Sequence, residues 1–376
     1  MALHGRLLVV LIGLFGLIGA AQAATGPIGF GQATKGGCTE QRCICHVRTP
    51  TQSALLACLD APGSGTIVFD SPATITIDSP PGGARATVKI PSNKTLAGPV
   101  TLMSQGTTLE IDNQSNIVIH DIAFRSSLSD HPGCKSIRTP KDSVGCGIGL
   151  YVLGDSKNIW IDHNDFSQCG EKCIVVWAPP PRGGLPTGHV AAPDLITISN
   201  NRFTDSYFGV LVGAAAQIAQ SQLPAHERAT FYGNFFDQVV RRTPRAASHA
   251  WIHVFNNYVR RWGGSDSCRG GDWGFGPSAT GGAQLDLEDN ILEAWPAASA
   301  CKQAVDTSRY VSQVGNHEDR GAGLVRAADN ETLNGAAVAE NDPAAVFDPH
   351  AFYKYTLLPA SAVAAVRTSA GVRGGK

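Results

Sequence analysis

The sequence predicts an all-β chain wound as a right-handed parallel β-helix, a solenoid forming one elongated domain. Three observations carry this expectation. First, six segments share one pattern: NIVIHDIAF from 116, NIWIDHNDF from 158, LITISNNRF from 195, RATFYGNFF from 228, WIHVFNNYV from 251 and QLDLEDNIL from 284. Each is a short run alternating apolar with polar residues, then Asn or Asp, then an aromatic or aliphatic residue. Alternation rich in β-branched residues indicates a strand, and the polar pair indicates a turn. Second, the segments start between 23 and 42 residues apart. A propeller needs even spacing, whereas a coil with loops of variable length does not, and twenty-odd residues suit one turn with asparagines stacked at the corner. Third, little of the chain reads as helix; only Ser53 to Asp60 resembles a capping one.

The upstream strands GTIVFD, ATITID, ATVKI and VTLM supply the first coils. An antiparallel β-sandwich would also give many short strands, but it has no use for an asparagine after each one.

Residues 1–23 stand apart. An apolar run from Leu7 to Ile18 follows Arg6 and leads to Ala21-Gln22-Ala23. A basic start, an apolar middle and an A-x-A site make a secretory signal peptide, so the mature chain is expected to be exported and extracellular, beginning near Ala24. No later stretch is long and apolar enough to suggest a membrane span. Residues 24–376 show no Gly/Ser linker or charge block that would divide them.

Ten cysteines, at 38, 43, 45, 58, 134, 146, 169, 173, 268 and 301, indicate disulfides in an exported chain. Zinc would bring paired C-x2-C spacing or nearby histidines, and the pairing itself is not readable from the sequence. Thirty basic residues against 31 acidic give a net charge of −1. A general polyanion surface is thereby excluded, no nucleic-acid role is expected, and affinity for an acidic ligand must be local. It is local in VVRRTPRAASHAWIHVFNNYVRRW, where Arg241, Arg242 and Arg245 surround Thr243-Pro244. Taken alone, such a cluster also suits a solvated basic strand edge.

These segments carry a resemblance. IPSNKTLAG, NIVIHDIAF, NIWIDHNDF, ITISNNRF, RRTPRAASHAWIHVFNNY and GGAQLDLEDNILEAW occur in an order that resembles the pectate lyase and pectin lyase family, over roughly 90–296. The specific element is W-I-D-H (Trp160 to His163), followed by R-x-P and H-V-x-N-N. The resemblance implies a secreted, monomeric polysaccharide lyase that cleaves homogalacturonan by β-elimination. Its catalytic base, the first arginine of R-x-P, falls on Arg242.

β-Elimination removes the C5 proton of a uronic acid residue and expels the glycosidic oxygen at C4. The site must offer a base and a cation, because negative charge builds on the adjacent carboxyl group. Arginine is an awkward base, with a free pKa above about 12, but neighbouring positive charge lowers the cost of losing its proton. Arg241 and Arg245 would supply that charge if they share a face with Arg242, and Pro244 would end regular pairing and fix the backbone.

In calcium-dependent relatives the cation is a metal held by acidic residues around the W-I-D-H strand. Here the corresponding positions fall on Gly147, Gly149 and Val175, leaving Glu171 as the one retained acidic candidate. Calcium needs several oxygen ligands. A lysine expected in the YFGVLVG strand is Phe208, and a second arginine expected after the motif proline is Ala247. A methyl-esterified substrate is neutral with a more acidic C5 proton, and pectin lyases look like this family stripped of these groups. The site therefore reads as nearer pectin lyase than pectate lyase. Lys172 would stand in for the cation and Trp177 would stack on sugar. Asp162 supports the site, while His163 reads as a turn or core residue.

The partner implied is an acidic or methyl-esterified plant cell-wall polysaccharide. No cofactor is required on this reading; calcium would enter only with a divergent pectate-lyase site. Hydrolysis on the same scaffold needs a cluster of carboxylates, and no matching Asp-Asp, G-H-G or R-I-K combination is present. A non-catalytic carbohydrate-binding β-helix fits the eroded positions but leaves the retained Arg242 and Pro244 without a purpose.

Overall fold

The computed structural model describes residues 26–78, 88–104, 106–126, 147–169, 171–179, 188–215, 218–223, 226–263, 274–296, 301–305, 307 and 321–373. The signal-peptide segment and Cys134, Cys146 and Cys268 lie outside them. All strand pairings named below are parallel, and they stack into three sheets that the chain visits in turn on each coil.

The first sheet runs from Ile44–Val47 and Gly65–Phe69 through the opening parts of Lys94–Ser104 and Ser115–Ser126. It continues with Lys157–Asp162, Asp194–Ser199, Arg228–Tyr232, Trp251–Phe255, Gln284–Glu288 and Leu324–Ala328. The second holds Thr74–Ile77, the ends of those two long strands, Asp165–Ser167, the start of Arg202–Ala214, Phe235–Arg241, Tyr258–Arg260, Ile291–Glu293 and Glu331–Leu333. The third holds Leu109–Asp112, Ile148–Leu153, Lys172–Ala178, the end of Arg202–Ala214, Arg245–Ala247 and Ser278–Thr280. The fold is the parallel β-helix expected from the repeat.

The repeated polar pair explains the corner between the first and second sheets. Its first member has a left-handed backbone: His163 (φ 51°), Asn200 (53°), Gly233 (65°), Asn256 (55°), Asp289 (47°) and Asp329 (53°). Asn, Asp and Gly adopt this conformation at least cost. The second member belongs to a ladder of Asn164, Asn201, Asn234, Asn257, Asn290 and Asn330. Each Nδ2 donates to the Oδ1 of the next at 2.9–3.1 Å. Each Oδ1 from Asn201 onward also accepts the backbone N–H of the preceding ladder asparagine. The ladder survives sequence steps of 37, 33, 23, 33 and 40 residues, so loop length varies elsewhere on the coil. Its last rung, in LVRAADNETL, is a coil beyond the six segments legible in the sequence.

Inside the coil one apolar core runs from Val47 to Val325. Phe124, Phe166, Phe203 and Phe236 stack at centroid separations of 4.6, 5.0 and 4.5 Å, each contributing roughly 2–3 kcal/mol by burial. The helix Gln52–Asp60, with Thr51 Oγ1 accepting from the Ala54 N–H, buries Leu55, Cys58 and Leu59 in this core. It is the capping helix expected there. Disulfides join Cys38 to Cys43, Cys45 to Cys58 and Cys169 to Cys173, and Cys301 is also disulfide-bonded.

Candidate active site

The arginine cluster lies where the chain passes from the second sheet to the third. On the coil below, Arg202–Ala214 crosses that corner as one continuous strand. Phe208 pairs with Arg241, and Leu211 pairs with Arg245. Between these pairs the lower coil has Gly209 and Val210, while the upper has Arg242, Thr243 and Pro244. The upper coil therefore carries one extra residue, a bulge of the kind that re-aims a side chain.

Two backbone features mark the bulge. Arg242 has a left-handed backbone (φ 68°), and the Thr243–Pro244 peptide is cis. The Arg242 carbonyl accepts the Val210 N–H at 2.7 Å, and the Pro244 carbonyl accepts that of Ser278 at 3.0 Å. A bulky side chain in the left-handed region is costly, and such residues gather at functional sites.

The bulge puts Arg241 and Arg242, adjacent in sequence, against one aromatic ring. Their guanidinium carbons lie 4.7 and 4.1 Å from the Phe208 ring centroid. Lys172, one coil below Phe208 in the same column, brings its Nζ to 5.6 Å from that centroid. The Arg241 guanidinium also lies over Tyr207, whose ring meets Phe208 edge-on at 4.4 Å. Arg245 donates to Thr280 Oγ1 at 3.1 Å. All three arginines are less than a tenth exposed, so their charges act through a poorly screened medium.

The positions that would hold calcium do not fit it. A Cβ at Gly149 would lie 2.6 Å from the Cys173 carbonyl oxygen and 3.3 Å from the Phe166 ring; one at Gly147 would meet the Gly106 carbonyl oxygen at 2.1 Å. The backbone is thus packed for glycine, leaving no room where a carboxylate would start. Val175 is buried in an apolar cluster outside the third sheet. Glu171 is ion-paired with Lys172, so the retained acid already has a cation. Among the described residues, two groups have donors close enough to chelate a metal. Cys38, Glu40 and Cys43 form one, but its cysteines are spent in a disulfide; His253, Asp286 and Glu288 form the other. His253 has both ring nitrogens engaged, by Tyr353 and Glu288, and Asp286 is held by Arg326.

Arg241, Arg242, Arg245, Pro244 and Lys172 are therefore brought together, and two other candidates are not. Trp177, expected to face sugar, is 8% exposed and packs with Val175, Leu211 and Ala214 beneath Val190, Ala192, Ile218 and Leu223. Its place on the outer face of the third sheet left it open to cover by the neighbouring segments. Asp162, expected to support the site, ends a strand of the first sheet. It accepts from Ser199 Oγ at 2.6 Å and Asn200 Nδ2 at 2.9 Å, and it pairs with His163 Nδ1 at 2.6 Å. That is the ladder corner, away from the second-to-third-sheet corner that carries Arg242. Of the insert 178–193, residues 180–187 lie outside the described residues; Val190 and Ala192 help cover the third sheet. In the sequence Phe208 reads only as a lost lysine, and the signal for its placement is the adjacent pair Phe208-Gly209.

Comparison with known proteins agrees with this architecture. A family model described as pectate lyase matches residues 70–374. A Solanum lycopersicum protein described as probable pectate lyase 18 is 30% identical over 165 residues, covering 43% of this chain and 36% of that protein. A pectin lyase of Pectobacterium carotovorum is 26% identical over 182 residues, covering 46% and 50%. The matches thus span between a third and a half of these relatives' lengths. Among solved structures, the cedar pollen allergen jun a 1 superposes with a TM-score of 0.65 at 18% identity over 92% of both chains. The pectate lyase of Bacillus sp. N165, in complex with trigalacturonate, gives 0.57 at 18% identity over 92% of this chain and 99% of that one. With the family model spanning most of the sequence, the chain belongs to the pectate lyase family.

Proposed function

We propose that the protein is an exported, monomeric polysaccharide lyase that cleaves methyl-esterified homogalacturonan by β-elimination without calcium. The observation that carries this reading is the bulge that sets Arg242 beside Arg241 over Phe208, at a site whose would-be calcium positions are two packed glycines, a buried valine and a glutamate already paired with lysine.

Arg242, relieved of a proton, takes the C5 proton of the uronide. The C5–H electron pair forms the C4–C5 double bond as the C4–O bond breaks, and water protonates the departing glycosidic oxygen. Arg241 and Arg245 are the neighbouring positive charges that make the neutral guanidine less costly. With Lys172 they also offset the negative charge that develops on the ester carbonyl. An ester carries no full charge in the ground state, so no metal is needed to neutralise it. On the same reading, the apolar face around Trp177 shapes the cleft and does not stack on sugar.

The test incubates the purified mature protein with methylated pectin and with polygalacturonate, each with calcium or chelator, and follows ultraviolet absorbance of the unsaturated product. Chelator-resistant signal on methylated pectin is expected. Calcium-dependent signal on polygalacturonate would overturn the metal-free reading. Silence on both from folded protein would favour a carbohydrate-binding protein.

A further inference from the structure

We infer that Phe208 is a positioning residue of the elimination site. Its ring holds the catalytic arginine and two further cations in one place, at the position where lysine is expected in calcium-dependent relatives. The inference rests on the lyase reading of Arg242.

Like charges repel, so Arg241, Arg242 and Lys172 gathered around one ring gain from contacts that favour a cation. Glu171 serves Lys172. For the two arginines, the shared contact is the Phe208 ring, at 4.7 and 4.1 Å. The negative face of an aromatic ring attracts a cation, more strongly when both are withdrawn from water, and Phe208 is 4% exposed.

The ring is itself held by its neighbours. Tyr207 meets it edge-on and Val240 packs with both; Lys172 and Arg241 flank it in the strand column. The next residue is Gly209, over which the Arg242 carbonyl passes. One dipeptide thus seats both the backbone and the guanidinium of the base. A lysine at 208 would add another cation to the cluster and take away the surface that accommodates the others. The aromatic residue therefore gives the three cations one common surface, which fixes the guanidinium of Arg242 relative to its neighbours.

The experiment compares Phe208→Leu, Phe208→Met and Phe208→Tyr with wild type, in kcat and KM on methylated pectin and in thermal midpoint. The arginine Nε–H resonances are recorded by nuclear magnetic resonance on the same proteins. Leu and Met fill most of the volume without a π face, and both should lower kcat about ten- to a hundredfold with KM changed less than about threefold. Tyr should keep kcat within about threefold of wild type. Ring-current-shifted resonances, assigned through Arg241→Lys and Arg242→Lys, should be present in wild type and Phe208→Tyr and absent with Leu or Met.

If kcat instead follows the thermal midpoint across all three variants, Phe208 is packing only and the positioning role is overturned, while wild-type turnover keeps the lyase reading intact. If wild type gives no unsaturated product from any uronide polymer, the lyase reading falls first and the positioning role falls with it.

Discussion

The carbonyl oxygen of Arg242 passes so close over Gly209 that a Cβ there would lie 2.4 Å from it. One glycine on the lower coil thus makes room for the bulge on the upper one. Gly209→Ala must push the Arg242 carbonyl outward and disturb its 2.7 Å bond from the Val210 N–H. Turnover should fall at least about tenfold, since small displacements of a reacting group are costly. Steady-state kinetics and a denaturation curve on the same preparation check it: a folded protein with normal kcat would show that the bulge has no catalytic importance.

Arg242→Ala should lower kcat by about a thousandfold or more, within the range for loss of a general base, and leave the thermal midpoint near wild type. Arg242→Lys tests whether any amine at this position suffices. The contact with the Phe208 ring suits a planar guanidinium, so little recovery is expected. Turnover of Arg242→Ala close to wild type would remove this arginine from the mechanism.

Asp162 separates the two corners of the coil. Its carboxylate joins Ser199, Asn200 and His163, so Asp162→Ala should cost about 2–4 kcal/mol of stability through lost and orphaned hydrogen bonds. Activity per folded molecule should stay within about twofold. Urea denaturation beside initial rates gives both numbers.

Glu227 is fully buried, and among the described residues its carboxyl oxygens have no hydrogen-bond partner beyond the local backbone N–H of Glu227 itself. Burial is the main cause that pushes its pKa up to about 8, and the Asp194 carboxylate adds to it. The folded value is above the unfolded one, so this group's stabilising contribution is complete below the unfolded pKa of about 4.5 and is lost as pH rises to about 8. Glu227→Gln keeps the shape without the charge. Its stability should match wild type at pH 4 and exceed it progressively up to pH 8, by of order 3–5 kcal/mol. Thermal midpoints across that range check it, and a constant gap would show that the carboxyl does not titrate there.

The coil was readable in the sequence because each turn repeats one physical requirement: a residue tolerant of left-handed backbone, then an asparagine able to donate and accept along the stack. Asn330 is less legible because its strand, Leu324–Ala328, ends in two alanines where the preceding strand has Leu287 and Glu288. Arg242 and Pro244 were readable as a motif. Whether Arg241 and Arg242 share a face was not, since that depends on a bulge defined against Gly209 and Val210, more than thirty positions earlier. The burial of Trp177 is not legible for a related reason: a strand's outward face looks accessible until the segments that cover it are placed.

The asparagine ladder also has an evolutionary consequence. Because neighbouring coils are keyed at one corner, whatever enters or leaves between rungs need not propagate into the register of the next turn. The 23-residue step from Asn234 to Asn257 and the 40-residue step from Asn290 to Asn330 meet the same rung geometry. Such a chain can exchange loops as cassettes, remodelling its outer surface while the spine stays in place.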